Sequence, residues 1–287
     1  MREEAPRVFD RVIRAYYEQA AEEKRLESGA FRLEAARTRE LILRHIPAAP
    51  ARVLDVGGAA GAYAFWLAEL GYSVHLVDAA PRLVEIASAR NDHAVHALEA
   101  CSIGDARALA EADHSADVVL LLGPLYHLVD EGDRHRALEE AARVLRPGGL
   151  LFAAGISRFA SILDGLTREL LDDPEFAGIV QRDLASGVHL NTTARLDYFT
   201  TAFFHHPEEL QREVAEAGFH VEGLYGIEGP GGNLSDLDER WDDPTRRDTI
   251  MRVARALESE RSVMGCSAHH LAVARKMPQM PAEKYGL

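Results

Sequence analysis

Short, mainly apolar runs alternate with segments of helical spacing between residues 52 and 156. Runs of this length are typical of strands that are buried on both faces of a parallel sheet. Parallel strands need crossover connections, and the helical segments at residues 62–70 and 134–145 supply two of them. This part of the chain is therefore predicted to be α/β, with helices on both faces of the sheet. The predicted strands are residues 53–56, 72–77, 95–103, 117–122 and 150–154.

The alternation stops after residue 156, and we interpret the interruption as a helical insertion. The insertion spans residues 157–206, with helices predicted at 159–171 and 174–185. The core pattern then returns with a helix at 207–217 and a strand at 219–227.

A second insertion is predicted at residues 228–262, with a helix at 246–261. Residues 267–275 then form a closing strand. Near the other end, residues 8–45 have helical spacing that Ser28 and Gly29 interrupt, which predicts two helices. We expect this helical segment and both insertions to cover the carboxyl ends of the strands, where open α/β sheets bind ligands. The predicted units are an N-terminal helical lid at residues 1–46, a core at 47–156, an insertion over the ligand site at 157–206, the rest of the core at 207–276 and a tail at 277–287.

The most informative stretch is residues 53–61, Val-Leu-Asp-Val-Gly-Gly-Ala-Ala-Gly. A glycine-rich turn between a strand and a helix lets the backbone approach a ligand closely, because Gly57, Gly58 and Gly61 carry no Cβ. Asp78 ends the next strand, where its carboxylate can accept hydrogen bonds from a ribose diol. We therefore predict a site for a nucleoside-containing cofactor at this edge of the sheet.

The spacing of the glycines distinguishes two kinds of nucleoside cofactor. A dinucleotide fingerprint reads Gly-x-Gly-x-x-Gly, and no register of residues 57–62 supplies it. The stretch fits Asp-x-Gly-x-Gly-x-Gly from Asp55, with Ala59 in place of the middle glycine. In this form it resembles the first motif of the class I S-adenosylmethionine-dependent methyltransferases.

Two further motifs extend the resemblance. Gly104, Asp105 and Ala106 follow the third predicted strand, where the family places an acidic residue against the adenine amino group. Residues 145–149 read Leu-Arg-Pro-Gly-Gly, which matches the family's turn before its fifth strand. The resemblance implies a Rossmann-like, seven-stranded, mostly parallel sheet with an N-terminal helical segment and helical lid insertions.

The resemblance also implies S-adenosylmethionine as the cofactor and indicates its contacts. In related small-molecule methyltransferases an N-terminal tyrosine and arginine close over the methionine moiety, and Tyr17 and Arg37 are the candidates here. An arginine suits the methionine carboxylate because the pair forms charge-assisted hydrogen bonds. The alternative is that Tyr17 packs between helices and Arg37 is solvated. The predicted cofactor-binding residues are Tyr17, Arg37, Gly57, Gly58, Gly61, Asp78, Ala79, Asp105, Ala106 and Leu122.

His127 is the candidate catalytic residue. Methyl transfer needs a base only when the acceptor arrives protonated, as a phenol, an alcohol or an ammonium group does. His127 lies just past the fourth predicted strand, and an unperturbed imidazole suits proton removal near neutral pH. The alternative is that His127 braces the loop after Pro124. DNA amino-methyltransferases carry Asp/Asn-Pro-Pro-Tyr here, and residues 123–126, Gly-Pro-Leu-Tyr, do not match.

The other histidines are predicted to be structural. His205 and His206 are adjacent, so at most one can point into a pocket. With His189 they are expected in loops or caps, while His269 and His270 are expected in the core or on the surface. We predict no metal site, because helix-spaced ligand pairs are lacking.

The net charge of the chain indicates which class of methyl acceptor to expect. The chain has 46 acidic and 32 basic residues, a net charge of −14, which argues against a phosphate-binding surface for nucleic acid. A small-molecule acceptor, methylated at oxygen or nitrogen, is therefore expected. The first residues are charged and no apolar run is long enough to span a bilayer, so we expect a cytoplasmic protein without membrane contact. A homodimer is left open.

Two alternatives to a methyltransferase remain at this point. A nicotinamide-dependent oxidoreductase could use Asp78 equally well for its ribose. A non-catalytic nucleoside-binding protein could keep the same fold, because a fold does not determine a function.

Overall fold

The structure is a computed structural model that describes residues 29–193 and 195–278. The predicted helix before Ser28, the predicted cofactor contact of Tyr17 and the end of the predicted tail lie outside the described residues. Within the described part, the alternation of strands and helices predicted for residues 52–156 is confirmed.

One sheet contains the nine strands found among the described residues. The strands are β1 Arg52–Val56, β2 Ser73–Asp78, β3 Ala100–Ile103, β4 Ala116–Leu121, β5 Leu145–Ser157, β6 Val188–His189, β7 Ala202–His205, β8 Phe219–Gly226 and β9 His269–Lys276. Seven of them form the core in the order β3-β2-β1-β4-β5-β9-β8. Neighbours in the core are parallel except in the two pairs that β9 makes. The predicted Rossmann-like, seven-stranded, mostly parallel core is therefore confirmed.

Helices cover both faces of this sheet because its central strands are apolar on both sides. The successive residues Val53 and Leu54 point to opposite faces and belong to different core clusters. Ile42 packs on the same face as Val53, and Leu138 packs on the same face as Leu54. The helices are α1 Ala30–His45, α2 Ala62–Glu69, α3 Pro81–Asn91, α4 Pro124–His127, α5 Glu131–Val144, α6 Ala160–Thr167, α7 Pro174–Ser186, α8 Pro207–Glu216, α9 Leu237–Asp242 and α10 Pro244–Leu257.

The first insertion contributes two strands that the sequence did not predict. β4 pairs with β5 only as far as Ala153, and β9 occupies the other edge of β5. Beyond Ala153, β7 pairs with the edge of β5 that β4 no longer covers. Phe204 pairs with Ile156, and His205 pairs with Ser157. β6 then pairs with β7. The insertion is thus joined by its backbone to the carboxyl end of the core sheet.

A buried ion pair also holds the insertion in place. Arg134 on α5 donates to both carboxylate oxygens of Glu213 on α8, at 2.7–3.1 Å. His205 on β7 lies 3.3 Å from the same carboxylate through Nε2. Burial alone would raise the pKa of Glu213, but His205 and Arg134 outweigh it and lower the pKa to about 2. A buried carboxylate with two partners ties β7 to two helices of the core.

Several elements differ from their predicted bounds, among them β5, which begins at Leu145, and two of the differences have a local cause. β3 begins at Ala100, because a loop held by Asn91 precedes it; the Leu98 N–H donates to Asn91 Oδ1 at 2.6 Å. The second insertion contains two helices, since the side chain of Asp243 caps a new helix by accepting backbone N–H groups of its first turn.

Candidate active site

The turn after β1 is fixed against the neighbouring strand. The Gly57 N–H donates to the carbonyl oxygen of Val77 at 2.7 Å. Gly57 has a φ of 73°, and a Cβ there would lie 2.6 Å from Cδ of Pro124, so only glycine fits. Ala59, which replaces the middle glycine of the motif, adopts a φ of 49° and keeps the left-handed conformation that glycine adopts freely. The turn therefore retains its backbone geometry at the cost of strain at Ala59.

Backbone donors hold the Asp78 carboxylate at the end of β2. Its two oxygens accept from the N–H groups of Ala59 and Ala80, each at 2.8 Å. Burial raises the pKa of Asp78, against the lowering effect of these hydrogen bonds. A carboxylate can accept about four hydrogen bonds, so Asp78 keeps capacity for a ligand hydroxyl. The residue lines the cavity at the position predicted for a ribose contact, and that contact stays a prediction.

Asp55 contributes a second buried carboxylate to the same wall. Its Oδ2 has no hydrogen-bond partner among the described residues. Burial, followed by the charge of Asp78, raises the pKa of Asp55 to about 7. An unpartnered, buried carboxylate oxygen costs free energy unless a ligand satisfies it, so this atom is evidence for a polar or cationic ligand group.

The remaining predicted residues on the core loops also lie at the cavity. Ala79, Ala106 and Leu122 line it, and so does Asp105. The Asp105 carboxylate is paired with the guanidinium of Arg107, with the closest contact at 2.6 Å between Oδ2 and Nη2. An adenine amino group at this position would share the carboxylate with Arg107. We name the wall formed by the loops after β1, β2 and β3 the loop side of the cavity.

Two predicted cofactor contacts need correction. Arg37 is not among the described residues that line the cavity, because its guanidinium is fully buried between the carboxylates of Glu40 and Glu258. The structure therefore does not place Arg37 at the cavity, which differs from its predicted position beside a methionine carboxylate. Gly61 is likewise absent from the described lining; with a φ of 86° it precedes α2 and forms the turn.

The cavity continues from the loop side to a wall formed by the first insertion, which we name the insertion side. The whole cavity has a volume of about 910 Å³, near the upper end of the roughly 300–1,000 Å³ typical of small-ligand sites. Half of the insertion residues that line this side are aromatic or aliphatic, and the polar or charged half is Ser161, Asp164, Thr167, Arg168, His189 and Asp197. Ser161 lines it, and its Oγ lacks a hydrogen-bond partner within the described part of the chain. The apolar members are Ala160, Leu163, Phe176, Tyr198, Phe199 and Phe204.

His127 lies at the cavity, where the sequence analysis expected it. It ends the short helix α4, and its ring contacts those of Tyr126 and Phe199, with centroids 4.7 and 6.2 Å away. His189 also lines the cavity rather than a loop surface, with Nδ1 2.9 Å from Asp183 Oδ2. Whether His127 removes a proton stays a prediction.

In each pair of adjacent histidines, the two side chains lie in different surroundings. His205 is buried in β7 instead of a loop, which corrects the expectation, whereas His206 caps α8 as expected. His270 is fully buried, and its Nε2 lies 3.1 Å from the Met264 carbonyl oxygen. His269 points the other way and lines the cavity, which differs from the predicted core or surface placement.

His269 forms a pair with Glu228, which follows β8. Glu228 Oε1 lies 2.6 Å from His269 Nδ1, and Ser267 Oγ donates to Oε2 at 2.7 Å. Glu34 on α1 completes a group whose ligand atoms lie within 4.8 Å of one another. Two ligand atoms of a tetrahedral zinc stand roughly 3.3 Å apart, so the 2.6 Å contact is a hydrogen bond rather than a pair of metal ligands.

Sequence reasoning missed Asp55 as a site residue, and it missed Glu228 and His269. A carboxylate inside the apolar run of β1 was a usable signal, since a buried acid needs a reason. Glu228 and His269 are 41 residues apart and meet only because β8 and β9 are antiparallel neighbours. That meeting depends on strand register, which the sequence pattern did not determine.

Comparison with known proteins agrees with this geometry. Residues 53–149 match the methyltransferase domain family. The chain is 29% identical over 201 residues to a ubiquinone biosynthesis O-methyltransferase of Azorhizobium caulinodans, covering 66% of this chain and 70% of the relative. The corresponding enzyme of Chelativorans sp. is 30% identical over 195 residues, covering 66% and 65%. A crystal structure of an S-adenosylmethionine-dependent methyltransferase from Methanosarcina mazei shares the fold, with a TM-score of 0.57 at 18% identity, covering 83% of this chain and 98% of that one.

Residues 53–149 are thus a methyltransferase domain, and the chain has the fold of the class I S-adenosylmethionine-dependent methyltransferases. It is an enzyme, and S-adenosylmethionine is its cofactor. The oxidoreductase and the non-catalytic alternatives are therefore rejected. In the two described segments, 29–193 and 195–278, no helix is both long and apolar enough to cross a membrane.

Proposed function

We propose that the enzyme transfers a methyl group to an oxygen or nitrogen atom of a small, largely apolar acceptor. The observation that carries this proposal is the continuity of the cavity from the glycine turn to the aromatic insertion side. A volume of about 910 Å³ leaves room for an acceptor beside the cofactor. Walls that combine apolar side chains with polar groups such as Ser161 are what small organic ligands require.

The residues of the loop side fit the cofactor. Gly57 and Gly58 line the cavity without side chains, and the unpartnered Oδ2 of Asp55 in the same wall can accept a hydrogen bond from a polar or cationic group of the cofactor. We assign the ribose hydroxyls to Asp78. When bound, the cofactor supplies an electrophilic methyl group on a sulfonium centre.

The chain's own contribution to catalysis is alignment and exclusion of water. In-line displacement needs the acceptor atom held near the methyl carbon, and fixed geometry of this kind lowers the barrier through effective concentration. Phe199 and Phe204 from the insertion and Tyr126 from the core enclose the acceptor space. A closed apolar wall removes competing water from the reaction.

Oxygen is the favoured acceptor atom. The relatives from Azorhizobium and Chelativorans are named ubiquinone biosynthesis O-methyltransferases. An aromatic insertion side suits stacking on a phenolic ring. The net charge of −14 argues against nucleic acid as the acceptor.

An acceptor screen tests the proposal. Purified enzyme is incubated with labelled S-adenosylmethionine and panels of phenols, alcohols and amines, and label transfer is measured. Leu163 lines the cavity, and Leu163→Trp is expected to abolish transfer while cofactor affinity stays unchanged. Leu166→Trp is the matched control, because Leu166 is 68% exposed on the same helix. Tight cofactor binding with transfer only to a protein or nucleic acid would contradict the proposal.

A further inference from the structure

His269 lies at the carboxyl edge of the sheet, where the acceptor space begins. It pairs with Ile156 across β9 and β5, and both residues line the cavity. Ile156 also pairs with Phe204 of the insertion side. His269 therefore stands at the junction between the core sheet and the wall that receives the acceptor.

Glu228 fixes the orientation of the His269 ring. Glu228 is 1% exposed, and its Oε2 accepts from both Ser267 Oγ and the His269 N–H, at 2.7 and 3.0 Å. Its Oε1 is thereby held against His269 Nδ1. A hydrogen bond at Nδ1 places the proton there and leaves Nε2, on the opposite edge of the ring, as the basic atom.

We propose that His269 is the proton acceptor in methyl transfer and that Glu228 is the residue that positions it. This inference rests on the proposed function, because only an acceptor that carries a proton needs a base. The arrangement of carboxylate, imidazole and acceptor follows the logic by which a buried acid orients a histidine base.

The step balances without a further reactant. The acceptor hydroxyl gives its proton to Nε2 of His269 while an oxygen lone pair forms the bond to the methyl carbon. The carbon–sulfur bond breaks, and its electron pair stays on sulfur, so the sulfonium becomes a neutral thioether. The imidazolium then releases its proton to water, and Glu228 stabilises the positive charge in the meantime.

Titratable groups of the described residues reach His269 from three elements. Glu228 reaches it from the segment after β8, Glu34 from α1, and His270 is its neighbour on β9. Burial alone would raise the pKa of the Glu228 carboxyl, but His269 and Ser267 outweigh it and hold that pKa below the usual value. The Glu228 carboxylate is thus stabilised by the ring that it orients.

The dependence on acceptor acidity tests the assignment directly. A phenol found in the screen is compared with its ring-nitrated analogue, which is ionised at neutral pH and needs no base. His269→Gln is expected to lower kcat on the phenol at least a hundredfold and on the nitrophenol less than threefold. His270→Gln is the matched control: it removes the buried neighbour, and the ratio of the two rates is expected to stay as in the wild type. The same ratio of rates on the phenol and the nitrophenol is measured for His127→Gln, because His127 is the alternative base.

The positioning role of Glu228 has a readout that needs no turnover. Histidine ring signals of the free protein are titrated by NMR, and His269 is assigned by its absence in His269→Gln. Glu228→Gln is expected to move the His269 titration to lower pH, because the carboxylate that stabilises the imidazolium is lost. The acid limb of kcat on the phenol is expected to move in the same direction.

The outcomes separate the two proposals. An equal loss on both acceptors in His269→Gln, or a His269 titration unmoved by Glu228→Gln, overturns the assignment and leaves the proposed function intact. A rate ratio that changes in His127→Gln and not in His269→Gln gives the role to His127. If activity is lost on dialysis against EDTA and restored by Mg²⁺ or Zn²⁺, Glu34, Glu228 and His269 form a cation site. That result also overturns the assignment of His269 as the base. A wild-type enzyme that methylates no phenol, alcohol or amine overturns the proposed function and this inference together.

Discussion

The loop side and the insertion side of the cavity are built by different means. On the loop side, backbone groups fix the geometry: Gly57 donates to Val77, and Asp78 accepts from the N–H groups of Ala59 and Ala80. On the insertion side, side chains from α6, α7 and the segment before β7 form the wall by packing. A site defined by backbone geometry restricts residue types strongly, whereas a packed wall accepts many combinations of similar volume.

The loop side also contains groups that are unfavourable without a ligand. Asp55 is buried with an oxygen that has no partner in the described residues, and Ala59 is held at a φ of 49°. Local strain of this kind persists only where the surrounding structure enforces it, and it concentrates at functional sites. The four predictions below test this difference between the two sides, from the largest expected effect to the smallest.

Gly57→Ala should have the largest effect. The added Cβ meets Pro124 at 2.6 Å and takes a φ of 73°, so strain and overpacking together should cost about 4 kcal/mol of unfolding free energy. Cofactor affinity should fall at least tenfold in isothermal titration. Gly178→Ala is the matched control, since its Cβ meets nothing within 4 Å in the described structure and the helical position favours alanine. Equal behaviour of the two variants would refute the role of the turn.

Asp55→Asn should stabilise the cofactor-free protein at alkaline pH. The pKa of Asp55 in the folded state, about 7, lies above the unfolded value, so its stabilising contribution is lost as pH rises through that range. Relative to wild type, the variant should gain about 3 kcal/mol in unfolding free energy between pH 5 and pH 8. Chemical denaturation at both pH values measures this gain. If the difference in unfolding free energy between variant and wild type did not depend on pH, the raised pKa of Asp55 could not be its cause. Weaker cofactor binding is expected in the same variant.

Asp183→Ala tests the insertion side alone. Asp183 is fully buried and holds His189 Nδ1 at 2.9 Å, while His189 Nε2 lies 2.8 Å from the Tyr198 carbonyl oxygen. Leaving the imidazole nitrogen buried without its partner should cost about 2 kcal/mol. The acceptor KM should rise severalfold with the cofactor Kd unchanged. Asp172→Ala, at an exposed position of the same insertion, should change neither constant, and a shift in cofactor affinity in Asp183→Ala would show that the two sides are not separable.

Ala59→Gly should have the smallest effect. Glycine relieves the left-handed strain but adds freedom to the unfolded chain, so a net gain of about 0.5–1 kcal/mol is expected. Thermal denaturation measures the gain, and the cofactor Kd should change less than threefold. A loss of stability would mean that the Ala59 methyl group makes packing contacts that outweigh the strain.

The same contrast explains how far the sequence could be read. The turn at Gly57 and the carboxylate at Asp78 were predictable because few residue types satisfy a left-handed turn or end a strand as a ribose acceptor. β7 was not predictable, because residues 202–205 have no periodic signal and become a strand only beside the free edge of β5. The burial of Arg37 was not predictable for a related reason, since its partner Glu258 is 221 residues away in the sequence.

The junction of β7 with β5 has a consequence for how the enzyme exchanges its reactants. Main-chain hydrogen bonds join β7, in the insertion that covers the cavity, to β5 of the core sheet beneath it. The Arg158 N–H adds another to the carbonyl oxygen of His205 at 2.8 Å. A hinge motion that moved the insertion away from β5 would break several of these hydrogen bonds together. Amide protons of Phe204 and His205 will therefore exchange with solvent as slowly as those of the central strands, and passage of acceptor and product will not depend on this seam opening.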